Sequence, residues 1–271
     1  MKYIVDRENK YTKDIFDHLL KYNMSKTGDR YYYGKSHYLV ENDKLLAGAN
    51  TFLSWDWVYI GEIYYEDKGQ LVKLISNVFN TYLGRTVGLK FESNFVSVVY
   101  DLIDIGFTLV GSVKFSPSMS NYFYLELREP LSTQDDIELI VTDEKKTEYD
   151  KLLLKEHNKL REKYKVKDCN EELCVSLYDD EIFVGGVLGV IYDDHAYVDM
   201  LVVNETYRGK GYGSKIMERF HKELTDNIVT LSLGTTQFQA KEFYEKLGYE
   251  TVVVHKDRPK GFDSYTMIRD K

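Results

Sequence analysis

The chain has 271 residues, 43% of them hydrophobic, enough for one or two domains with buried cores. Its net charge of −8 argues against a nucleic-acid footprint and against attraction to anionic membranes. No run approaches the ~20 apolar residues of a membrane span, and the opening MKYIVDRENK lacks the apolar core of a signal peptide.

Residues 37–41 and 44–54 alternate as a hairpin around Asn42-Asp43, and 57–65 reads as a third strand. Residues 70–83 place Leu71, Leu74, Ile75, Val78 and Phe79 on one helical face. A strand over 87–91, a helix over 95–105 ending at Gly106, and strands over 107–115 and 121–127 follow. Pro130 marks a linker before Asp136. Residues 148–165 predict a helix of alternating charge with His157 on its solvated face, and His221 reads as solvated too. His195 and His255 fall near strand ends, where a cleft could open, and nothing singles them out.

Tyrosine is abundant, with 24 residues and clusters at Tyr31-Tyr32-Tyr33 and at Tyr59, Tyr64 and Tyr65. Such alternating aromatics read as strand packing rather than as the walls of a ligand site. Cys169 and Cys174 have neither zinc nor redox spacing and read as thiols of a reducing, cytoplasmic compartment. No His, Asp or Glu spacing suggests a metal site. The acidity is heavier after residue 135 (27 acidic against 21 basic, compared with 17 against 15 before it), which mildly favours a cationic amine as partner.

The most informative stretch is Tyr197 to Gly213, YVDMLVVNETYRGKGYG. Residues 198–203 form a β-branched apolar strand, 204–206 a polar turn, and 214–224 a helix with Ile216, Met217, Phe220 and Leu224 at 3–4 spacing. Between them lies Arg208-Gly209-Lys210-Gly211-Tyr212-Gly213-Ser214. Glycines let a backbone approach a ligand, and the free N–H groups of a helix's first turn favour an anion. The stretch therefore reads as a pyrophosphate cradle. It lacks the Gly-Lys-Ser/Thr ending of a Walker loop and the spacing of a dinucleotide fingerprint.

Arg208, Gly211 and Gly213 after a strand form Arg-x-x-Gly-x-Gly, which resembles the acyl-CoA loop of the GNAT superfamily of N-acetyltransferases. A second segment resembles the same family. A strand over 228–233 leads to a helix over 237–249, and strands over 251–254 and 263–268 follow. The helix carries Ala240, Phe243, Tyr244 and Gly248 where that family's closing helix has its Ala, Phe, Tyr and Gly; Tyr249 replaces Phe and Gln237 replaces Asn. The resemblance implies that Leu201, Val202 and Val203 hold the pantetheine arm, with the Leu201 N–H polarising the thioester carbonyl. It also implies that Gln237, Ala240 and Phe243 contact the cofactor and that Tyr244 is the general acid. Strand alternation puts Tyr197, Asp199 and Leu201 on one face, and the family's base or proton-carrying water is served from the positions of Tyr197 and Asp199. At an ordinary carboxyl pKa Asp199 would act through water or by holding the ammonium.

The N-terminal half echoes this order, with 100–107 resembling 244–249 about 142 residues on. Its counterpart of the cradle, Tyr64-Tyr65-Glu66-Asp67-Lys68-Gly69-Gln70, has one glycine and two acids, unsuited to a pyrophosphate. The expectation is an α/β (α+β) chain of two GNAT-like domains, each a mixed, largely antiparallel sheet flanked by helices: 1–130 degenerate, 136–271 binding acetyl-CoA. The implied activity is acetyl transfer to a primary amine of a small molecule or peptide, with no metal and no nucleic-acid or membrane partner, and with an oligomer allowed. The alternatives are a Fem-type peptidyl transferase using aminoacyl-tRNA, which the acidic charge disfavours, and a non-catalytic acyl-CoA-binding protein, which Tyr244 disfavours.

Overall fold

The computed structural model describes the chain apart from residues 9, 29–31, 133–138, 144–147, 167, 169 and 170. Tyr31, Cys169 and most of the linker expected after Pro130 thus lie outside the described residues. Strands β1 (Lys2–Asp6), β9 (Glu171–Asp179), β10 (Ile182–Tyr192), β11 (His195–Val203), β12 (Thr230–Thr236), β14 (Ser264–Asp270) and β13 (Glu250–His255) form one sheet, in that order. Strands β8 (Ile140–Thr142), β2 (Tyr32–Glu41), β3 (Lys44–Ser54), β4 (Trp57–Tyr65), β5 (Gly88–Ser93), β7 (Tyr122–Leu127) and β6 (Thr108–Val113) form the other. The two orders are the same once the sheets' edge strands β1 and β8 are matched. In each, a single parallel pair (β11 with β12, β4 with β5) sits among antiparallel neighbours. The mixed, largely antiparallel architecture expected from the sequence is present twice.

The edge strands are exchanged. β1 opens the chain but pairs with β9, and the helix after it, α1 (Thr12–Thr27), packs on β10 and β11. Reciprocally, β8 pairs with β2, and α4 (Glu148–Lys163) packs on β3 and β4. A boundary between 130 and 136 therefore separates the sequence repeats but not the sheets. Nothing before residue 37 announces β1 or α1, because α1 buries only Ile15 and Asn23 and so shows no apolar stripe. Ile15 is fully buried over Gly186, where a Cβ would come within 2.7 Å of it.

The β2–β3 hairpin turns through Asn42 and Asp43, both at positive φ (48° and 61°), as a two-residue primed turn requires. The crossover helices α2 (Lys68–Thr81) and α5 (Tyr212–Glu223) join the parallel pairs, and α3 (Val96–Asp104) and α6 (Lys241–Lys246) precede the last hairpins. Helix α6 is shorter than the expected 237–249, since Thr236 to Gln239 form a turn closed by Gln239 N–H on the Thr236 carbonyl, 2.9 Å. The sheets meet where β6 touches β13; at Gly111 the missing Cβ makes room for Val253.

Two histidine readings are corrected. His157 faces the N-terminal sheet rather than water, 8% exposed, and its Nδ1 accepts the Ile63 N–H at 3.1 Å. His221 is half-buried with its Nε2 out of reach of solvent, and burial pulls its pKa down to about 4. An alternating-charge pattern does not reveal which face of a helix meets a sheet.

Candidate active site

The site begins where β11 and β12 part. Their pairing runs only from His195–Thr230 to Val198–Leu233, leaving Met200 to Val203 paired with β10 alone. Asn204 donates its N–H to the Val184 carbonyl on β10, 2.9 Å. Alternation of the backbone groups then turns the N–H and C=O of Leu201 and Val203 toward the open side.

A bulge corrects one expectation. Leu188 pairs with Met200 but Gly189 with Val198, so Asp199 is an extra residue and the alternation changes phase there. Val198, Leu201 and Val203 join the core beneath α5, whereas Met200 and Val202 join the cluster beneath α1. Tyr197 and Leu201 therefore do not share a face, and Asp199 stands exposed between them. Only an insertion of one residue, invisible to period-2 counting, separates the two readings.

The glycine loop takes the left-handed turns that its composition predicts. Gly209 and Gly211 adopt φ of +74° and +79°, and Gly211 is the N-cap of α5 with no side chain closing the first turn. At Gly213 a Cβ would lie 3.2 Å from the Phe243 ring, so this glycine lets α5 approach α6. Arg208 donates Nε–H to the Val203 carbonyl at 2.9 Å and lies 4.6 Å from the Tyr22 ring centre. Lys210 donates to the Thr206 carbonyl at 3.0 Å.

A cavity of about 460 Å³ runs from this loop into the splay. Leu201, Val202, Val203, Arg208, Gly209, Gly211, Tyr212, Gly213, Ser214, Ala240, Phe243, Tyr244 and Asp199, all singled out from the sequence, line it. Lys210 and Gln237 do not: Gln237 is exposed, and its side-chain oxygen accepts the Asp263 N–H at 3.2 Å. Gln239 lines the cavity instead, its amide bonded to Asn23 of α1 at 2.9 Å. Leu19 and Tyr22 of α1 were equally beyond sequence reasoning, since only the exchange of β1 and α1 brings them here.

Tyr244 is 6% exposed, and burial, reinforced by Tyr249, pushes its phenol well above the ordinary range. It stays protonated, as a donor must. Burial, then Asp199 and Glu92, raise the Tyr197 phenol likewise, which favours a hydrogen-bonding rather than a proton-accepting role. Tyr197 lines a second, larger cavity between the sheets, which meets the first at Leu19, Asp199, Gly234, Thr235 and Gln239. His195 and His255 line that second cavity, and so do Tyr59, Tyr122 and Tyr124. Reading the tyrosines as packing alone thus missed a wall assembled from residues far apart in sequence.

The N-terminal counterpart is built differently. β4 and β5 also part after Ile60–Phe91, and a bulge again falls between Ala49 and Thr51. Here, however, Asp67 caps α2, its carboxylate accepting the Gln70 N–H at 2.9 Å while Gln70 accepts the Glu66 N–H at 3.1 Å. The helix end that α5 leaves open is closed on α2 by the chain's own carboxylate. At the offset of 142 residues, Tyr244 corresponds to Leu102, which has no proton to give.

Residues 137–249 match the model of the Acetyltransferase (GNAT) family. The chain is 28% identical over 88 residues to a blasticidin-S acetyltransferase of Streptomyces morookaense; the match covers 32% of this chain and 65% of that protein. Among solved structures, an acetyltransferase from Bacillus cereus ATCC 14579 is 29% identical, covering 47% of this chain and 96% of its own, with a TM-score of 0.41. An aminoglycoside 6'-N-acetyltransferase from Enterococcus faecium is 20% identical, covering 42% and 79%, with a TM-score of 0.33.

Proposed function

With residues 137–249 belonging to the GNAT acetyltransferase family, we propose that this chain transfers an acetyl group from acetyl-CoA to a primary amine. The observation that carries the reading is the uncapped, glycine-lined first turn of α5 at the mouth of the β11–β12 splay. That turn offers free N–H groups and a positive dipole end to a pyrophosphate, with Arg208 alongside. The outward backbone groups of Leu201 and Val203 suit an amide-bearing arm, and the Leu201 N–H suits the thioester carbonyl oxygen as charge grows on it. The domain carrying this site is the C-terminal repeat completed by β1 and α1; the N-terminal repeat, its helix capped, takes no acyl-CoA.

In the reaction a neutral amine forms a bond to the acetyl carbon, the carbon–sulfur bond breaks, and the thiolate takes a proton. Tyr244 donates that proton. Asp199, at the junction of the two cavities, holds the incoming ammonium or orders the water that receives its proton. Calorimetry should give one acetyl-CoA per chain, and an amine panel should release CoA thiol. Two sites per chain, or none, would refute the assignment of the cradle.

A further inference from the structure

The cavity between the sheets has a volume of about 1110 Å³, at the upper end for a small-molecule site. Both sheets wall it: Tyr59 of β4 with Tyr122 and Tyr124 of β7 from one, Tyr197 and Tyr265 from the other. The Tyr59 ring is fixed by stacking on Phe52 (4.6 Å between centres), by Lys90 3.8 Å from its centre, and by Arg258 donating to its hydroxyl at 2.8 Å. Arg258 also reaches Glu92 at 3.3 Å, and Glu92 pairs with Lys90. Both cations are held to Glu92 and lie over the Tyr59 ring, so this tyrosine is a fixed part of the wall.

Three buried polar atoms of cavity residues lack such partners. His195 Nδ1, His255 Nδ1 and Thr236 Oγ1 belong to residues lining the cavity, 3%, 3% and 5% exposed; they have no hydrogen-bond partner among the described residues and are out of reach of solvent. His195 is held by Ser232 Oγ, 2.7 Å from its Nε2, and by stacking on Phe115 at 5.0 Å. Burial pulls its pKa to about 4, so the ring is neutral near pH 7.

We propose that this cavity is the acceptor site and that the acceptor is a small-molecule primary amine carrying an aromatic ring. The ring lies among tyrosines of both sheets, and the amine reaches Asp199 where the cavities meet. The N-terminal half, closed to acyl-CoA by Asp67, thereby supplies half of the acceptor wall. A folded protein surface does not enter a space bounded by two sheets, which sets this site apart from one for a protein terminus. The inference rests on the acetyl-transfer reading above.

The test offers the full-length protein tyramine, tryptamine, n-hexylamine and a hexapeptide with N-terminal alanine, each with acetyl-CoA and thiol detection. Thermal shift measures binding of the two aromatic amines without acetyl-CoA. An aromatic amine should stabilise the protein and exceed the aliphatic amine and the peptide in kcat/KM by roughly tenfold or more. Trp55→Ala and Tyr122→Leu, both on cavity residues of the N-terminal half, should raise its KM roughly tenfold while leaving the calorimetric Kd for acetyl-CoA unchanged. A preference for hexylamine or the peptide, no turnover of either aromatic amine, or an unchanged KM in both variants would overturn the aromatic acceptor while acetyl-CoA binding still stood. Absence of acetyl-CoA binding would instead overturn acetyl transfer, and this inference with it.

Discussion

Tyr244→Phe removes one hydroxyl from the proposed acid and leaves its ring in place. The ring packs against Phe243 and Tyr249, with centres 5.2 and 5.7 Å away, and these contacts survive in phenylalanine. Stability should therefore change by no more than about 1 kcal/mol, and acetyl-CoA affinity hardly at all. If Tyr244 protonates the departing thiolate, kcat should fall on the order of 10²-fold, about 2.7 kcal/mol of barrier, with KM little affected. The pH behaviour follows from the direction of the shift. The group acts protonated and burial raises its pKa, so the activity it supports persists as pH rises through the ordinary phenol range. The basic limb up to about pH 10 should accordingly look the same in parent and variant. The assay is thiol release under saturating acetyl-CoA from pH 6 to 10. A kcat within about threefold of the parent would remove Tyr244 from proton transfer and leave α6 as cofactor support.

Three further expectations test the cradle, the exchange and the buried histidines. Gly211→Ala meets no atom within 4 Å but must hold φ +79°, a strain of about 1–2 kcal/mol; acetyl-CoA should bind roughly tenfold more weakly, and Gly211→Glu, which adds a carboxylate, should abolish calorimetric binding, so an unchanged Kd in both would refute the cradle. Ile15→Ala empties a fully buried position under β10 and β11 and should cost about 2–5 kcal/mol in urea unfolding; a fragment of 136–271, lacking β1 and α1, should fail to bind acetyl-CoA, and parental affinity in that fragment would show α1 to be dispensable. Burial lowers both His37 and His195 to about 4 from 6.5, so between those values the unfolded chain takes up protons that the folded chain refuses; stability should be full above pH 6.5 and fall with pH by about 1.4 kcal/mol per unit per histidine down to about 4, and a flat urea midpoint from pH 7 to 5 would contradict their burial.

Legibility in the sequence followed locality. Asn42-Asp43 names its turn because two consecutive positive φ values demand such residues, and Gly209, Gly211 and Gly213 name the cradle because their spacing is the loop's own geometry. Asp199 was singled out from the sequence but placed on the wrong face, since a single bulge in the β10–β11 register reverses alternation without changing residue types. The second cavity was out of reach for a different reason. Tyr59, Tyr122 and Tyr265 each look like ordinary strand aromatics, and only the contact of β6 with β13 and the common splay bring them round one space with Tyr197. Gln237 and Gln239 show the finest scale of failure: both are amides at one turn, and where α6 begins decides which reaches the cavity.

The two crossover helices meet the same electrostatic demand in opposite ways. An open helix N-terminus needs an anion; α2 carries its own in Asp67, whereas α5, capped by Gly211, leaves the demand to whatever binds. Capping α2 closes the phosphate end of the N-terminal splay but not its other end, where Tyr59 and Glu92 still face the space shared with β11 and β12. The exchange of β1 with β8 then ties the halves together, since each sheet is completed by the other repeat's first strand and helix. Neither half is whole without the other: the cradle cavity borrows Leu19 and Tyr22 from the start of the chain, and the shared cavity borrows its tyrosines from both sheets. Under acetyl transfer, the capped repeat serves the reaction from the acceptor's side of the thioester.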